Sequence, residues 1–166
     1  MDLQAFVRDV PDFPIPGVLF RDITPILQSP EALGYALEQM VAHIDLASID
    51  AFVGIEARGF ILGAALAARF GKGFIPVRKA GKLPPPVQSL SYALEYGEAT
   101  LEMRAGKGRV LLVDDVLATG GTLNAAIALC ERSGYELVDI AVLINLEGLH
   151  KMRFQSKPIH SVLTYP

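Results

Sequence analysis

The feature that most constrains this chain is RVLLV (Arg109–Val113), an apolar run with β-branched residues and no alternation. A strand with one face in water repeats every second residue, so a strand without that repeat has both faces covered. AFVGI (Ala51–Ile55) is another short apolar run, FIPV (Phe74–Val77) follows it, and ELVDIAVLIN (Glu136–Asn145) and HSVLTY (His160–Tyr165) read as further strands. Between them lie Ala- and Leu-rich helical segments. RGFILGAALAARFG closes on Gly71 and TLNAAIALCERSG on Gly134, where a helix C-cap is expected. Strand–helix–strand order with covered strands predicts an α/β fold, a central and mostly parallel sheet flanked by helices. Ligands in such sheets lie past the C-terminal ends of strands. Two loops take that position, EARG (Glu56–Gly59) and DDVLATGGT (Asp114–Thr122).

With 166 residues, 51% of them apolar, one domain is expected, large enough to bury about 70% of its unfolded surface. A net charge of -3 gives no support for binding nucleic acid, which needs a concentrated basic surface. The single cysteine, Cys130, sits in the apolar helical string AAIALCERSG and reads as a core residue in a reducing compartment. The N-terminus carries early acids and several prolines, unlike a signal peptide. The longest apolar run, Gly59 to Ala68, is well short of the roughly 20 residues of a membrane helix. A cytoplasmic protein without membrane contact is expected. His43, His150 and His160 show no metal-ligand spacing, ALEQMVAHI has the spacing of a packing helix, and Asp9 and Asp12 read as turn chemistry around prolines.

The second loop sets two carboxylates, Asp114 and Asp115, just ahead of a Thr-Gly-Gly-Thr turn. Residues Ala118, Thr119, Gly120, Gly121 and Thr122 lead into a helix expected to start near Thr122. Their backbone N–H groups are unpaired and the helix dipole adds positive charge. The glycines allow close approach, and the threonines add hydroxyl donors. No Gly-Lys-Ser/Thr follows, so this is not a Walker loop. Carboxylates accept from vicinal hydroxyls or hold a hydrated divalent cation. A ribose 5-phosphate satisfies both halves.

VLLVDDVLATGGT resembles the phosphoribosyl-pyrophosphate signature of type I phosphoribosyltransferases. DFPIPGVLFRDITPIL, EARGFILG, VRKAGKLP and YALEYGEATLE are similar to the adenine branch of that family. The resemblance runs from about Pro11 to the closing SVLTY. It implies the type I fold in one domain over 1–166, with an N-terminal hood over the base at 1–30 and a mobile basic loop and hairpin at 78–103. The implied reaction joins adenine to phosphoribosyl pyrophosphate, giving AMP and pyrophosphate with Mg2+. A homodimer is implied too, because in the family part of the basic loop serves a neighbouring subunit.

The resemblance also assigns roles. Asp114 and Asp115 would hold the ribose hydroxyls, and Mg2+ through the substrate or through water. Ala118–Thr122 would anchor the 5-phosphate. Ala57 and Arg58 would meet the pyrophosphate, with Arg78, Lys79 and Lys82 closing over it. Val18, Phe20 and Arg21 would form the hood, Arg21 partly through its backbone, with Val116 on the other side of the base. Glu95 would share a proton with the imidazole-side nitrogen of adenine, and Tyr96 would close the site. Two segments depart from the family pattern. RAGKGR (Arg104–Arg109) is shorter than usual, and Pro84-Pro85-Pro86 stands where polar residues are common, which stiffens the loop. A non-catalytic regulator of this fold would carry a basic surface or an added domain, and a 6-oxopurine enzyme would lack GVLFRDI.

Overall fold

Strands covered on both faces need helices on both sides, and the computed structural model supplies them; it describes residues 1–94 and 97–166. The chain opens with an antiparallel hairpin, β1 (Arg8–Pro11) and β2 (Leu19–Asp22). Helices α1 (Thr24–Gln28) and α2 (Pro30–Val41) follow. Ser29 caps α2 by accepting the Ala32 N–H, and Pro30 takes the first helical position, where no N–H is needed. Then come β3 (Ala51–Ile55), α3 (Arg58–Phe70), β4 (Gly73–Lys79), the hairpin strands β5 (Gln88–Leu94) and β6 (Gly97–Met103), and β7 (Gly108–Leu117). Helix α4 (Gly121–Arg132) leads to β8 (Tyr135–Leu146), a small hairpin of β9 (Arg153–Phe154) and β10 (Lys157–Pro158), and β11 (His160–Tyr165).

Seven strands make one sheet in the order β11-β8-β7-β3-β4-β6-β5. From β11 to β4 every pairing is parallel. β6 joins β4 antiparallel, with Arg78 opposite Glu102, and carries β5 at the edge. The mostly parallel α/β sheet expected from the sequence is the one observed.

Alternate residues of the apolar runs go to opposite faces. On β7, Leu111 and Val113 join a cluster with α2 and α3, while Val110 and Leu112 join a second cluster with α4. β3 divides the same way, with Phe52 in the first cluster and Val53 and Ile55 in the second. Each of these residues is at most 1% exposed. Cys130 lies in the second cluster, where burial pushes its thiol up to about 12. Among the described residues no helix is long and apolar enough to cross a membrane.

β7 is longer than its apolar run. It continues through Asp114 and Asp115 to Leu117, because β8 still pairs with it there, Asp114 opposite Val142 and Leu117 opposite Asn145. On its other side the pairing with β3 ends at Gly54 and Val113. The carboxylates are thus held by one neighbour and project past the other. The chain leaves β3 through α3 toward β4, and leaves β7 through α4 toward β8, on the opposite side. The two adjacent strands therefore form a topological switch point, where a crevice opens at their C-terminal ends.

Candidate active site

A cavity of about 310 Å3 fills that crevice. One wall is Glu56, Ala57 and Arg58 after β3, and the other runs from Asp114 to Leu123. Its floor is the start of α4. The helix begins at Gly121, and its N-cap, Gly120, has φ 87° with no side chain among the described residues capping it. The first intrahelical bond runs from Asn124 N–H to Gly120 C=O at 2.9 Å. The N–H groups before it therefore remain in the cavity wall as anion donors, reinforced by the dipole. Gly120 suits its place on two counts. Its φ is left-handed, and a Cβ would sit 3.0 Å from Met152 Sδ beneath the loop.

Both carboxylates line this cavity. Asp114 Oδ1 accepts the Asp115 N–H at 2.9 Å. A Cβ on Gly59 would lie 2.8 Å from the same oxygen, so α3 approaches β7 as closely as a glycine allows. Asp115 is only 6% exposed, and its Oδ2 accepts from Arg58 Nε. Burial, and then repulsion from the Asp115 carboxylate, push Asp114 well above the ordinary carboxylate range; attraction from Arg58 offsets only part of this.

A second cavity, of about 300 Å3, adjoins the first and shares Arg58, Asp115, Val116 and Ala118 with it. Its other lining is Val18, Leu19, Phe20 and Arg21, with Leu146 from the end of β8. The Arg21 guanidinium is committed elsewhere: it pairs with Asp9 and lies 4.1 Å from the centroid of the Tyr165 ring. Asp9 is thus an ion-pair partner rather than a turn residue. Asp12 does serve the turn, accepting the Gly17 N–H at 2.8 Å. Phe20 stands edge-on to Phe13 at 5.2 Å, with the Arg58 guanidinium 5.1 Å from its centroid. An anion nest, two carboxylates and a largely apolar chamber in a row suit a ligand with a phosphate, a hydroxylated middle and a flat end.

Residues 23–165 match the phosphoribosyl transferase domain family. The adenine phosphoribosyltransferase of Bdellovibrio bacteriovorus is 54% identical over 165 residues, covering 99% of this chain and 100% of that one. The chain belongs to the adenine phosphoribosyltransferase family. Two solved structures of the family agree in fold. The Rhodothermus marinus enzyme superposes with a TM-score of 0.87 at 47% identity, covering 98% of this chain and 96% of the other. The Giardia lamblia enzyme, solved as a complex with 9-deazaadenine, gives 0.89 at 41% identity, covering 99% and 97%.

Of the residues that the family resemblance assigns, Ala57, Arg58, Asp114, Asp115, Val116 and the run Ala118–Thr122 share the first cavity, and Val18, Phe20 and Arg21 meet it through the second. Arg78, Lys79 and Lys82 line neither. Glu56 holds the start of their loop: Arg78 donates to it through Nε and Nη2 at 3.4 Å each, and the Lys79 N–H at 3.0 Å. Glu102, 4% exposed, accepts the Lys82 and Leu83 N–H groups at 2.9 and 2.7 Å. Glu95 and Tyr96 lie outside the described residues. Sequence reasoning missed Leu146 in the second cavity, Met152 under Gly120, and the anchoring roles of Glu56 and Glu102. For Leu146 and Met152 no local signal exists, since the fold alone brings them to the site. For Glu102 the signal was an acid inside an otherwise apolar strand end.

The state of Asp114 has a measurable consequence. In the unfolded chain it ionises near about 3.9. The folded protein keeps the proton to higher pH, so the native state binds more protons above that value and stability falls as pH rises through the window. Asp114→Asn keeps the acceptor for the Asp115 N–H and removes the charge. Its melting temperature should exceed that of the parent at about pH 8, with the gap closing toward about pH 4. Thermal unfolding at both pH values checks this, and a gap independent of pH would refute it.

Proposed function

We propose that this chain transfers the 5-phosphoribosyl group of phosphoribosyl pyrophosphate to adenine, forming AMP and releasing pyrophosphate. The bond from ribose C1 to pyrophosphate oxygen breaks and a bond from C1 to the base nitrogen forms. The observation that carries the reading is the pair of adjoining cavities that share Arg58 and Asp115. The anion nest suits the 5-phosphate, Asp114 and Asp115 suit the ribose hydroxyls, and the chamber under Phe20 suits a purine. The Giardia relative's complex with an adenine analogue supports the choice of base.

Catalysis in this reading is positioning and charge stabilisation. The nest fixes one end of the sugar and the hood fixes the base, so C1 is held between leaving group and nucleophile. Carboxylate charge beside the ribose favours the positive character that develops at C1. Arg58 offers a planar fork to pyrophosphate at the mouth of the first cavity. Glu95 takes or supplies the proton on the base. Residues 1–30 act as the hood, and 78–103 as the arm over the leaving group.

Magnesium fits the donor set as an ion carried by the substrate. The described residues offer no cluster of three or more metal-capable side chains. Mg2+ keeps several waters and takes one or two carboxylates beside substrate phosphates, a demand that Asp114 and Asp115 meet. Bound there, it would neutralise charge on the leaving pyrophosphate. Cytoplasmic work fits a chain whose single thiol is buried and unpaired.

Purified protein should form AMP from adenine and phosphoribosyl pyrophosphate only when Mg2+ is present, and far faster than it forms product from hypoxanthine or guanine. Chromatography of the three reactions, with and without chelator, decides this; turnover of a 6-oxopurine in preference to adenine would overturn it.

The homodimer rests on Arg78, Lys79 and Lys82, which line neither cavity of their own chain. Light scattering at assay concentration should give twice the chain mass, and an active monomer would sink the proposal.

Asp115→Asn and Glu95→Ala should fail differently. Losing the Asp115 charge should cost about 2–4 kcal/mol in the transition state, roughly 30- to 1000-fold in kcat/KM. Glu95→Ala should lower kcat while the sugar donor binds with near-parent affinity. Calorimetry beside turnover separates them, and equal loss of donor binding would remove Glu95 from the base side.

A further inference from the structure

We propose that Tyr92 is a positioning residue for the 5-phosphate, acting through the hydroxyl of Thr122. This rests on the reading of the Ala118–Thr122 turn as a phosphate nest. Tyr92 belongs to β5, on the hairpin at the sheet edge, which packs on α4. Its hydroxyl lies 3.1 Å from Thr122 Oγ1, and Thr122 lines the first cavity.

The direction of that bond follows from counting protons. Each hydroxyl has one proton to donate and two lone pairs. If Thr122 donated to Tyr92, its proton would point away from the nest. If Tyr92 donates to Thr122, the threonine proton is left for an acceptor in the cavity. An anion in the nest selects the second arrangement, a chain from Tyr92 O–H to Thr122 O–H to phosphate oxygen. Successive bonds in such a chain polarise and strengthen one another. Both residues are only half-buried, so the chain has a solvent competitor and its value lies in fixing the Thr122 rotamer before the ligand arrives.

The link also joins two parts of the site that the fold brings together from separate segments. β5 ends at Leu94, the residue before Glu95. A phosphate that holds Thr122 therefore also holds β5, the strand that precedes Glu95 in the sequence. This is a route by which the sugar's far end steadies the base-side residue.

The test measures ribose 5-phosphate affinity by calorimetry in the parent, Tyr92→Phe, Thr122→Val, Thr122→Ser and the double variant Tyr92→Phe/Thr122→Val. Tyr92→Phe keeps the ring and removes only the hydroxyl, and it should weaken binding about three- to tenfold, the range of one neutral hydrogen bond. In the Thr122→Val background the same change should have no further effect, because the group it acts through is gone. Thr122→Ser should retain the dependence on Tyr92. In turnover, Tyr92→Phe should raise KM for the sugar donor and leave KM for adenine unchanged. Undiminished affinity in Tyr92→Phe overturns the proposal, as does an equal loss in both backgrounds, which would mean that Tyr92 acts through hairpin packing. No binding of ribose 5-phosphate by the parent would instead remove the nest reading itself, and the proposal with it.

Discussion

The parallel pairing of β3 with β7 is the constraint on which the rest of the site depends. Its last rung is Gly54 with Val113, and past that rung the strands are no longer tied to each other. Glu56 to Arg58 then stand across from Asp114 and Asp115, and each segment turns into its own helix. The close packing comes from glycine. A Cβ on Gly54 would lie 2.5 Å from the Gly59 carbonyl oxygen, and one on Gly59 would touch Asp114. Larger residues at either place would push α3 off the sheet and carry Arg58 away from Asp115. The ion pair between those two crosses the seam where the backbone pairing ends.

The electrostatics of that seam are unbalanced. Two neighbouring carboxylates share one arginine, and the arginine is engaged with Asp115. Asp114 is left with a backbone N–H and a proton held well beyond the usual range. A few residues along the chain, the first turn of α4 offers uncapped N–H groups. A folded chain chosen only for stability would cap the helix and separate the acids. Both imbalances are relieved by one ligand type, a hydroxylated ring with a phosphate. Hydroxyl donors answer the carboxylates and phosphate oxygens answer the nest. This accounts for negative side chains standing beside a turn that attracts anions.

The sheet was legible because its strands state their own burial. RVLLV and AFVGI lack alternation, and each sends neighbouring residues into different clusters. The lining of the first cavity was legible because its residues are contiguous in sequence, in EARG and DDVLATGGT. The strand end at Asp114 and Asp115 was not, since carboxylates do not look like strand residues; pairing with β8 holds them extended. The setting of the Arg21 guanidinium was not legible, because its partners Asp9 and Tyr165 lie far apart in the chain. Leu146 and Met152 had no signature at all. They become part of the site only when β8 and the segment after it fold alongside β7.

The basic loop differs from the sheet in what holds it. The strands bury apolar faces, whereas the basic loop is tied by Glu56 to Arg78 and Lys79, and by Glu102 to Lys82 and Leu83. Arg58 is likewise held by Asp115. Each such tie pairs a cation, or a row of N–H donors, with a carboxylate. A pyrophosphate offers the same kind of acceptor. An arginine passing from a carboxylate to a phosphate exchanges one anion for another, with little change in its own desolvation, so the rearrangement costs less than freeing an arginine from water. In the proposed reaction, Asp115 therefore keeps the Arg58 guanidinium beside the diphosphate site without committing it there.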